Sequence, residues 1–323
     1  MSRLVTMSNA PVGDTVVSRL GFGASGLGGM FQRVSDEDAT AAVLAAVDSG
    51  VTYFDVAPFY GHGTAESRLG RVLTTLQRSS FTLSTKVGRL IAPRADADTG
   101  IFVNAEPSDA VYDYSRDGVH RSLEASLQRL GLDSIDIVYI HDPDDHERQA
   151  MDEAYPALEE LRAAGVVKAI GVGMNQSAMP ARFVSDTDID VVLLAGRYTL
   201  LDTSAERDLL PLAVDKGVAI VNAGVFNSGI LASPRPGARY DYAPASDALV
   251  AQALAIQQAC SRHNVPISAA AIQYSLACPA VASVLVGCRS AAQHKRNVAN
   301  FELDISELLW RDLAHMGIER WPS

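Results

Sequence analysis

The chain is poor in the patterns that mark disulfides, metals, membranes and nucleic-acid binding. Its 323 residues include three cysteines, Cys260, Cys278 and Cys288, an odd number without C-x-x-C spacing. That argues against a disulfide framework and for buried thiols in a reducing compartment. The seven histidines show no H-x-x-x-H spacing, so no metal is expected. A formal charge of −11 without a basic stripe argues against a nucleic-acid partner. Met1 to Gly13 lacks the basic and apolar regions of a signal peptide. The one long apolar stretch, Ala269 to Cys288, is interrupted by Gln273, Tyr274, Ser275 and Pro279. It reads as a buried helix followed by a strand, not as a membrane span. With no low-complexity segment and no Ser/Pro-rich linker, a single domain over 1–323 is the simplest organisation. The expectation is a cytoplasmic protein that acts on a small molecule, as a monomer or a small homo-oligomer, without a nucleic-acid or membrane partner.

What the chain does have is rhythm. A helical stretch ends at glycine and an apolar, β-branched run follows at Gly50-Val51, Gly165-Val166 and Gly217-Val218, with a variant at Gly131-Leu132. Glycine closes a helix in the left-handed region and the run after it starts a strand. Strands are expected near 18–23, 51–57, 81–87, 135–141, 166–172, 189–195, 218–223 and 281–287, with helices between them. Eight such units predict an α/β fold, a (β/α)8 TIM barrel of parallel strands. Residues 1–17 read as an N-terminal β-hairpin turning at Val12-Gly-Asp14. Ser35 with Asp38 marks the start of the first helix, and Thr64 with Glu66 that of the second, where a carboxylate suits the helix dipole. Two long βα loops break the rhythm, Arg89 to Asp117 and Asn227 to Asp247. Both follow strand C-termini, the face on which barrel enzymes build their sites, so they are expected to cover the mouth.

Gly21-Phe-Gly-Ala-Ser-Gly26 matches the dinucleotide fingerprint G-x-G-x-x-G. The first helix starts only at Ser35, so these glycines open no helix that could hold a pyrophosphate. A glycine-rich first barrel loop explains them better. Four other residues draw attention together. Asp55, Lys86 and His141 each end an apolar strand run, and Tyr60 follows Asp55 in the same loop. Singly they are a turn aspartate before Pro58, a solvent-seeking lysine, a core histidine and a half-buried aromatic. Jointly they form a proton-transfer set. A buried Lys86 needs Asp55 as its partner. Its ammonium is expected to lower the Tyr60 pKa, and His141 can polarise a substrate oxygen. That chemistry suits hydride exchange at a carbonyl or alcohol carbon.

At these residues the sequence resembles the aldo-keto reductase superfamily. The resemblance rests on Phe54-Asp-Val-Ala-Pro-Phe-Tyr-Gly61 running to Glu66 and Leu69-Gly70, on Thr82-Leu-Ser-Thr-Lys86, on Val138-Tyr-Ile-His141, and on Gly287-Cys-Arg-Ser290 to Asn297. It covers nearly the whole chain. It implies a barrel with a nicotinamide cofactor, NAD or NADP, extended across the mouth, and Tyr60, Lys86, Asp55 and His141 as a catalytic tetrad. Further segments resemble a bacterial sugar-oxidising branch, the L-fucose and D-threo-aldose 1-dehydrogenases and the similar pyridoxal 4-dehydrogenases: Gly21 to Gly29, Ile140-His-Asp-Pro-Asp-Asp145, Gly171-Val-Gly-Met-Asn-Gln176 and Ala195 to Leu201.

For cofactor contacts the resemblance implies Asn175 at the nicotinamide amide, Phe226 as the stacking aromatic where Ala223 fills the usual position, and Ser228, Gly229 and Leu231 at the pyrophosphate. Arg289, Ser290, Gln293 and Asn297 form the phosphate segment. Gly287 and Gln293 stand where the family's 2′-phosphate cations usually are, which favours NAD; Arg289 remains, with His294 and Lys295 nearby. Phe59 and Tyr112 are the candidate substrate contacts. The expected reaction is oxidation of an aldose at C1 to the lactone. The alternatives are a pyridoxal dehydrogenase, a general aldehyde or ketone reductase, and a non-catalytic nicotinamide-binding regulatory subunit, against which the complete tetrad argues.

Overall fold

The computed structural model describes residues 7–103 and 105–322. Fourteen strands occur among them: β1 Asn9–Val12, β2 Thr15–Ser18, β3 Leu20–Gly23, β4 Tyr53–Asp55, β5 Thr82–Val87, β6 Arg89–Pro93, β7 Ser108–Tyr112, β8 Ile137–His141, β9 Ala169–Met174, β10 Val191–Ala195, β11 Ala219–Ala223, β12 Arg239–Tyr240, β13 Ala243–Pro244 and β14 Val281–Gly287. Eight of them close a barrel in the order β3-β4-β5-β8-β9-β10-β11-β14, every neighbouring pair parallel, with β14 returning to β3. All eight expected strands are present. Most begin a residue or more later than the apolar runs suggest, because the first apolar residues, such as Val51 and Ile135, bury themselves in the approach to the strand.

The helices form the outer layer and start and stop for local reasons. Ser35 accepts a hydrogen bond from the Asp38 N–H and caps the helix Asp36–Asp48. Gly131 and Gly217 end the helices Arg116–Leu130 and Leu209–Lys216 in left-handed conformations, at φ 65° and 70°. The helix Thr64–Leu73 starts where expected, but Glu66 is fully buried. Its carboxylate accepts from Thr85 and pairs with Arg129 at 2.6 Å, so it ties two helices to β5 instead of facing solvent at a helix end.

The core has two parts. Apolar residues on the outer faces of the strands pack under the helices. A second cluster fills the barrel's interior, where Val12 and Val17 of the β1–β2 hairpin meet Tyr53, Ile137, Tyr139 and Val191. The hairpin closes the end of the barrel opposite the mouth, with its turn at Val12-Gly13-Asp14. It ends at Ser18, which the sequence pattern had assigned to the first barrel strand; residues 1–6 lie outside the described residues.

The two long loops are not structureless. Within 89–117, β6 and β7 form an antiparallel hairpin, and Ser115 caps a helix that begins at Arg116. Within 227–247, β12 and β13 make a smaller hairpin before the helix Asp247–Arg262. Among the described residues no helix is long and apolar enough to cross a membrane.

Candidate active site

Asp55 ends β4, Lys86 lies near the end of β5 and His141 ends β8. Parallel pairing of β4 with β5 and of β5 with β8 carries all three to the same end of the barrel. Tyr60 reaches that end from the turn after β4. The turn is seated by two glycines in contact: a Cβ on Gly61 would lie 2.5 Å from the Gly28 Cα, and one on Gly28 would lie 2.5 Å from the Gly61 nitrogen. The glycine-rich first loop thus serves close backbone approach beside Tyr60.

Lys86 and Asp55 are both 1% exposed. The ammonium donates to both Asp55 carboxylate oxygens at 2.8 Å and to the Val56 carbonyl at 3.0 Å, which uses its three protons. Ser84 donates to Asp55 Oδ1 at 2.7 Å, and Tyr53 and Tyr139 continue the row of hydroxyls into the barrel. Lys86 Nζ lies 4.8 Å from the centre of the Tyr60 ring, and the Tyr60 and His141 rings meet edge to face at 5.9 Å.

The electrostatics correct one expectation. The Tyr60 phenol is held well above its ordinary value, first by burial and then by the Asp55 charge. Lys86 is committed to Asp55, so the pair offers the phenol little net positive charge. Burial also pushes the Asp55 carboxyl up, with Lys86 and Ser84 opposing. His141 is driven well below its ordinary value by burial, then by Arg89 and Lys86. It is therefore a neutral imidazole at neutral pH, and its Nδ1 is buried without a hydrogen-bond partner.

These residues open onto a cavity of about 530 Å3 lined by Phe59, Tyr60, Lys86, His141, Asn175 and residues of both long loops. Of the two candidate substrate contacts, Phe59 lines this cavity, against Phe102 and His141. Tyr112 does not line it: it is 50% exposed, stacks on Tyr114 and packs against His146, with the Arg89 guanidinium 5.3 Å from its ring. The sequence reading missed Arg89 and Asp142. They form an ion pair of 2.7 Å on the cavity wall, and burial raises the Asp142 carboxyl to about 6. The acidic stretch after β8 and the basic residue opening β6 were the available signals; the β5–β8 register, with Val87 opposite Ile140, carries Arg89 across from Asp142.

The candidate cofactor residues divide. Asn175 is exposed on the cavity edge. Arg289 donates to the Met30 carbonyl at 3.3 Å, beside the cavity, and its Nε is buried and unpartnered, a donor that fits an anionic group. Gln293 is spent locally: its side chain accepts from the Arg289 N–H and its own N–H donates to Ser290, an N-terminal cap of the helix Ala291–Glu302. Asn297 is buried on that helix. The N–H groups of Gly229 and Leu231 both donate to the Phe226 carbonyl, which removes them as anion donors in this conformation. Ser228, at φ 58°, accepts from the Tyr242 N–H, and Phe226 packs half-buried against the core. Asn175 on the cavity edge suits a carboxamide and the free Arg289 donor suits a phosphate, whereas the 229–231 turn has no free N–H to offer an anion. Among the described residues no group of three His, Cys, Asp or Glu could hold a metal.

The family model described as Aldo/keto reductase family matches residues 19–315. The chain is 41% identical over 317 residues to a D-threo-aldose 1-dehydrogenase of Pseudomonas sp, covering 94% of this chain and 95% of that one. It is likewise 41% identical over 325 residues to a pyridoxal 4-dehydrogenase of Microbacterium luteolum, covering 94% of each. Among solved structures, an aldo-keto reductase from Bacillus halodurans in its holo form superposes with a TM-score of 0.77 at 25% identity, covering 96% of both chains. With the parallel barrel and the mouth cluster in place, these matches make the chain a member of the Aldo/keto reductase family and an NAD(P)-dependent oxidoreductase.

Proposed function

We propose that this protein oxidises an aldose at C1 to the corresponding lactone. Tyr60 accepts the C1 hydroxyl proton, and the neutral His141 holds that hydroxyl's oxygen. The observation that carries the reading is the set of Tyr60 contacts: its ring faces Lys86 Nζ at 4.8 Å and meets the His141 ring edge-on, on the wall of one cavity. When bound, an oxidised nicotinamide supplies the hydride acceptor and a positive charge. At rest Tyr60 is a protonated phenol, the form that donates a proton in carbonyl reduction. Oxidation needs the phenolate, so alkaline pH favours that direction. Lys86 and Asp55 act as a fixed, internally neutralised pair that positions the ring and limits its charge. The Arg89–Asp142 pair on an otherwise largely apolar wall and the aldose dehydrogenase relative support a sugar substrate.

We read the cofactor as NAD in preference to NADP. Gly287 offers no side chain, Gln293 is occupied in a helix cap, and Arg289 is the one cation kept from the expected set. The aromatic side of the cavity, Phe59 against Phe102 at 5.4 Å, favours a second reading as a pyridoxal dehydrogenase, in keeping with the other relative. Steady-state assays of fucose, arabinose, pyridoxal and nitrobenzaldehyde with each cofactor separate these readings. The highest kcat/KM on a sugar with NAD is expected. A sugar-inactive enzyme that turns over pyridoxal would transfer the conclusion to the second reading.

A further inference from the structure

Arg89 and Asp142 lie on the cavity wall and take no part in the proton transfer described above. Arg89 Nη2 donates to Asp142 Oδ2 at 2.7 Å, and the same oxygen lies 3.5 Å from His141 Nε2. Both partners are held rigidly. The guanidinium lies between the Phe59 and Tyr112 rings, 4.8 and 5.3 Å from their centres. Asp142 sits at φ 40°, and the Tyr114 hydroxyl donates to its carbonyl at 2.9 Å and to that of His141 at 2.7 Å. A carboxylate in a left-handed backbone, largely buried at the edge of a cavity, is an expensive arrangement for a purely structural link. Arg89 Nε is moreover buried without an acceptor.

We propose that Arg89 and Asp142 form a subsite that reads the hydroxyl on the carbon next to the reacting one, so that the substrate class is an aldose with a free 2-hydroxyl. The inference rests on the C1-oxidation reading and sharpens it. With the reacting oxygen held by His141, the Asp142 carboxylate lies one short step along the wall. The 3.5 Å between His141 Nε2 and Asp142 Oδ2 is short enough for two oxygens on adjacent carbons to meet one partner each. The 2-hydroxyl donates its hydrogen to the carboxylate, and its oxygen accepts from the guanidinium, so both of its capacities are met. An analogue without this hydroxyl leaves the two charges bonded to each other but displaces water from their cavity-facing donors and acceptors without replacing it, which is how a polar site rejects a deoxy substrate.

The test compares kcat/KM for arabinose and 2-deoxyribose, its 2-deoxy counterpart, and for fucose and 2-deoxyfucose. Wild type, Asp142→Asn and Arg89→Met are assayed with NAD. The ratio of the two substrates on one preparation is independent of how much protein is folded, so partial misfolding of a variant does not blur it. Wild type should favour the hydroxylated sugar by roughly 10- to 100-fold, the range for a hydrogen bond to a charged group. Both variants should bring the ratio to within about threefold of unity. A structural link alone would lower both substrates together and leave the ratio intact, which would overturn the subsite while sparing C1 oxidation. Failure of wild type to oxidise any aldose would overturn the C1-oxidation reading and the subsite with it.

Discussion

Asp142 should weigh on the stability of the whole protein in a pH window that can be stated in advance. Its carboxyl stands at about 6 instead of the ordinary 3.8, raised by burial more than Arg89 lowers it. Between those two values the folded protein holds the proton and the unfolded chain does not. Stability from this group is therefore highest below about pH 4, falls as pH rises towards 6, and is level above that. The gap corresponds to about 3 kcal/mol, an upper figure because 23% of the side chain is exposed and solvent screens it. Other carboxyls act in the opposite sense. Asp36, lowered by its bonds to Arg71 and Arg68, and Asp312, lowered chiefly by its bond to His263, add stability as pH rises. Urea unfolding of wild type and Asp142→Asn at pH 4 to 8 separates these effects, since the other groups are common to both proteins and cancel in the difference. The variant should gain on wild type by about 1–3 kcal/mol between pH 4 and 7. A difference that stays flat with pH would mean that Asp142 titrates like a solvated carboxyl, and the argument for a desolvated wall would fail.

Four other outcomes are expected. Tyr60→Phe should cost about 10²–10⁴ in kcat, the usual worth of general acid–base catalysis, and full turnover in that variant would remove Tyr60 from the reaction. Since the Tyr60 phenol is held above its ordinary value, kcat/KM for oxidation should keep climbing with pH past neutrality; a flat profile from pH 6 to 9 would contradict it. Lys86→Met strands the buried Asp55 carboxylate and should destabilise the fold by about 3–5 kcal/mol, with Asp55→Asn added to it restoring part of the loss in chemical denaturation. Gly61→Ala places a Cβ 2.5 Å from Gly28 at φ 62° and should cost about 2–4 kcal/mol and displace Tyr60, so stability and kcat should fall together; a fully active, equally stable variant would show that the turn can shift freely.

The barrel was legible because its signals are local. Each β-branched run and each terminal glycine reports on its own few residues, and parallel order follows once the units alternate. The assembly of Asp55, Lys86 and His141 was legible for a related reason, since strand ends in a parallel barrel share one face. What the sequence could not convey was how charges are shared after assembly. Lys86 is consumed by Asp55 and Val56, so proximity to Tyr60 did not become a lowered phenol pKa. The Arg89–Asp142 pair lies just past the ends of β5 and β8 and forms because the register sets Val87 opposite Ile140, which neither segment alone specifies. Gln293 illustrates the reverse: a residue aligned with a cofactor contact turned out to satisfy a helix end.

The β1–β2 plug makes the barrel a vessel with one door. Beneath Tyr60 the row of Ser84, Tyr53 and Tyr139 hydroxyls runs down into the cluster that holds Val12 and Val17. Val12 and Val17 offer that row no acceptor at the floor, so the phenol meets bulk water through the same opening that the substrate uses.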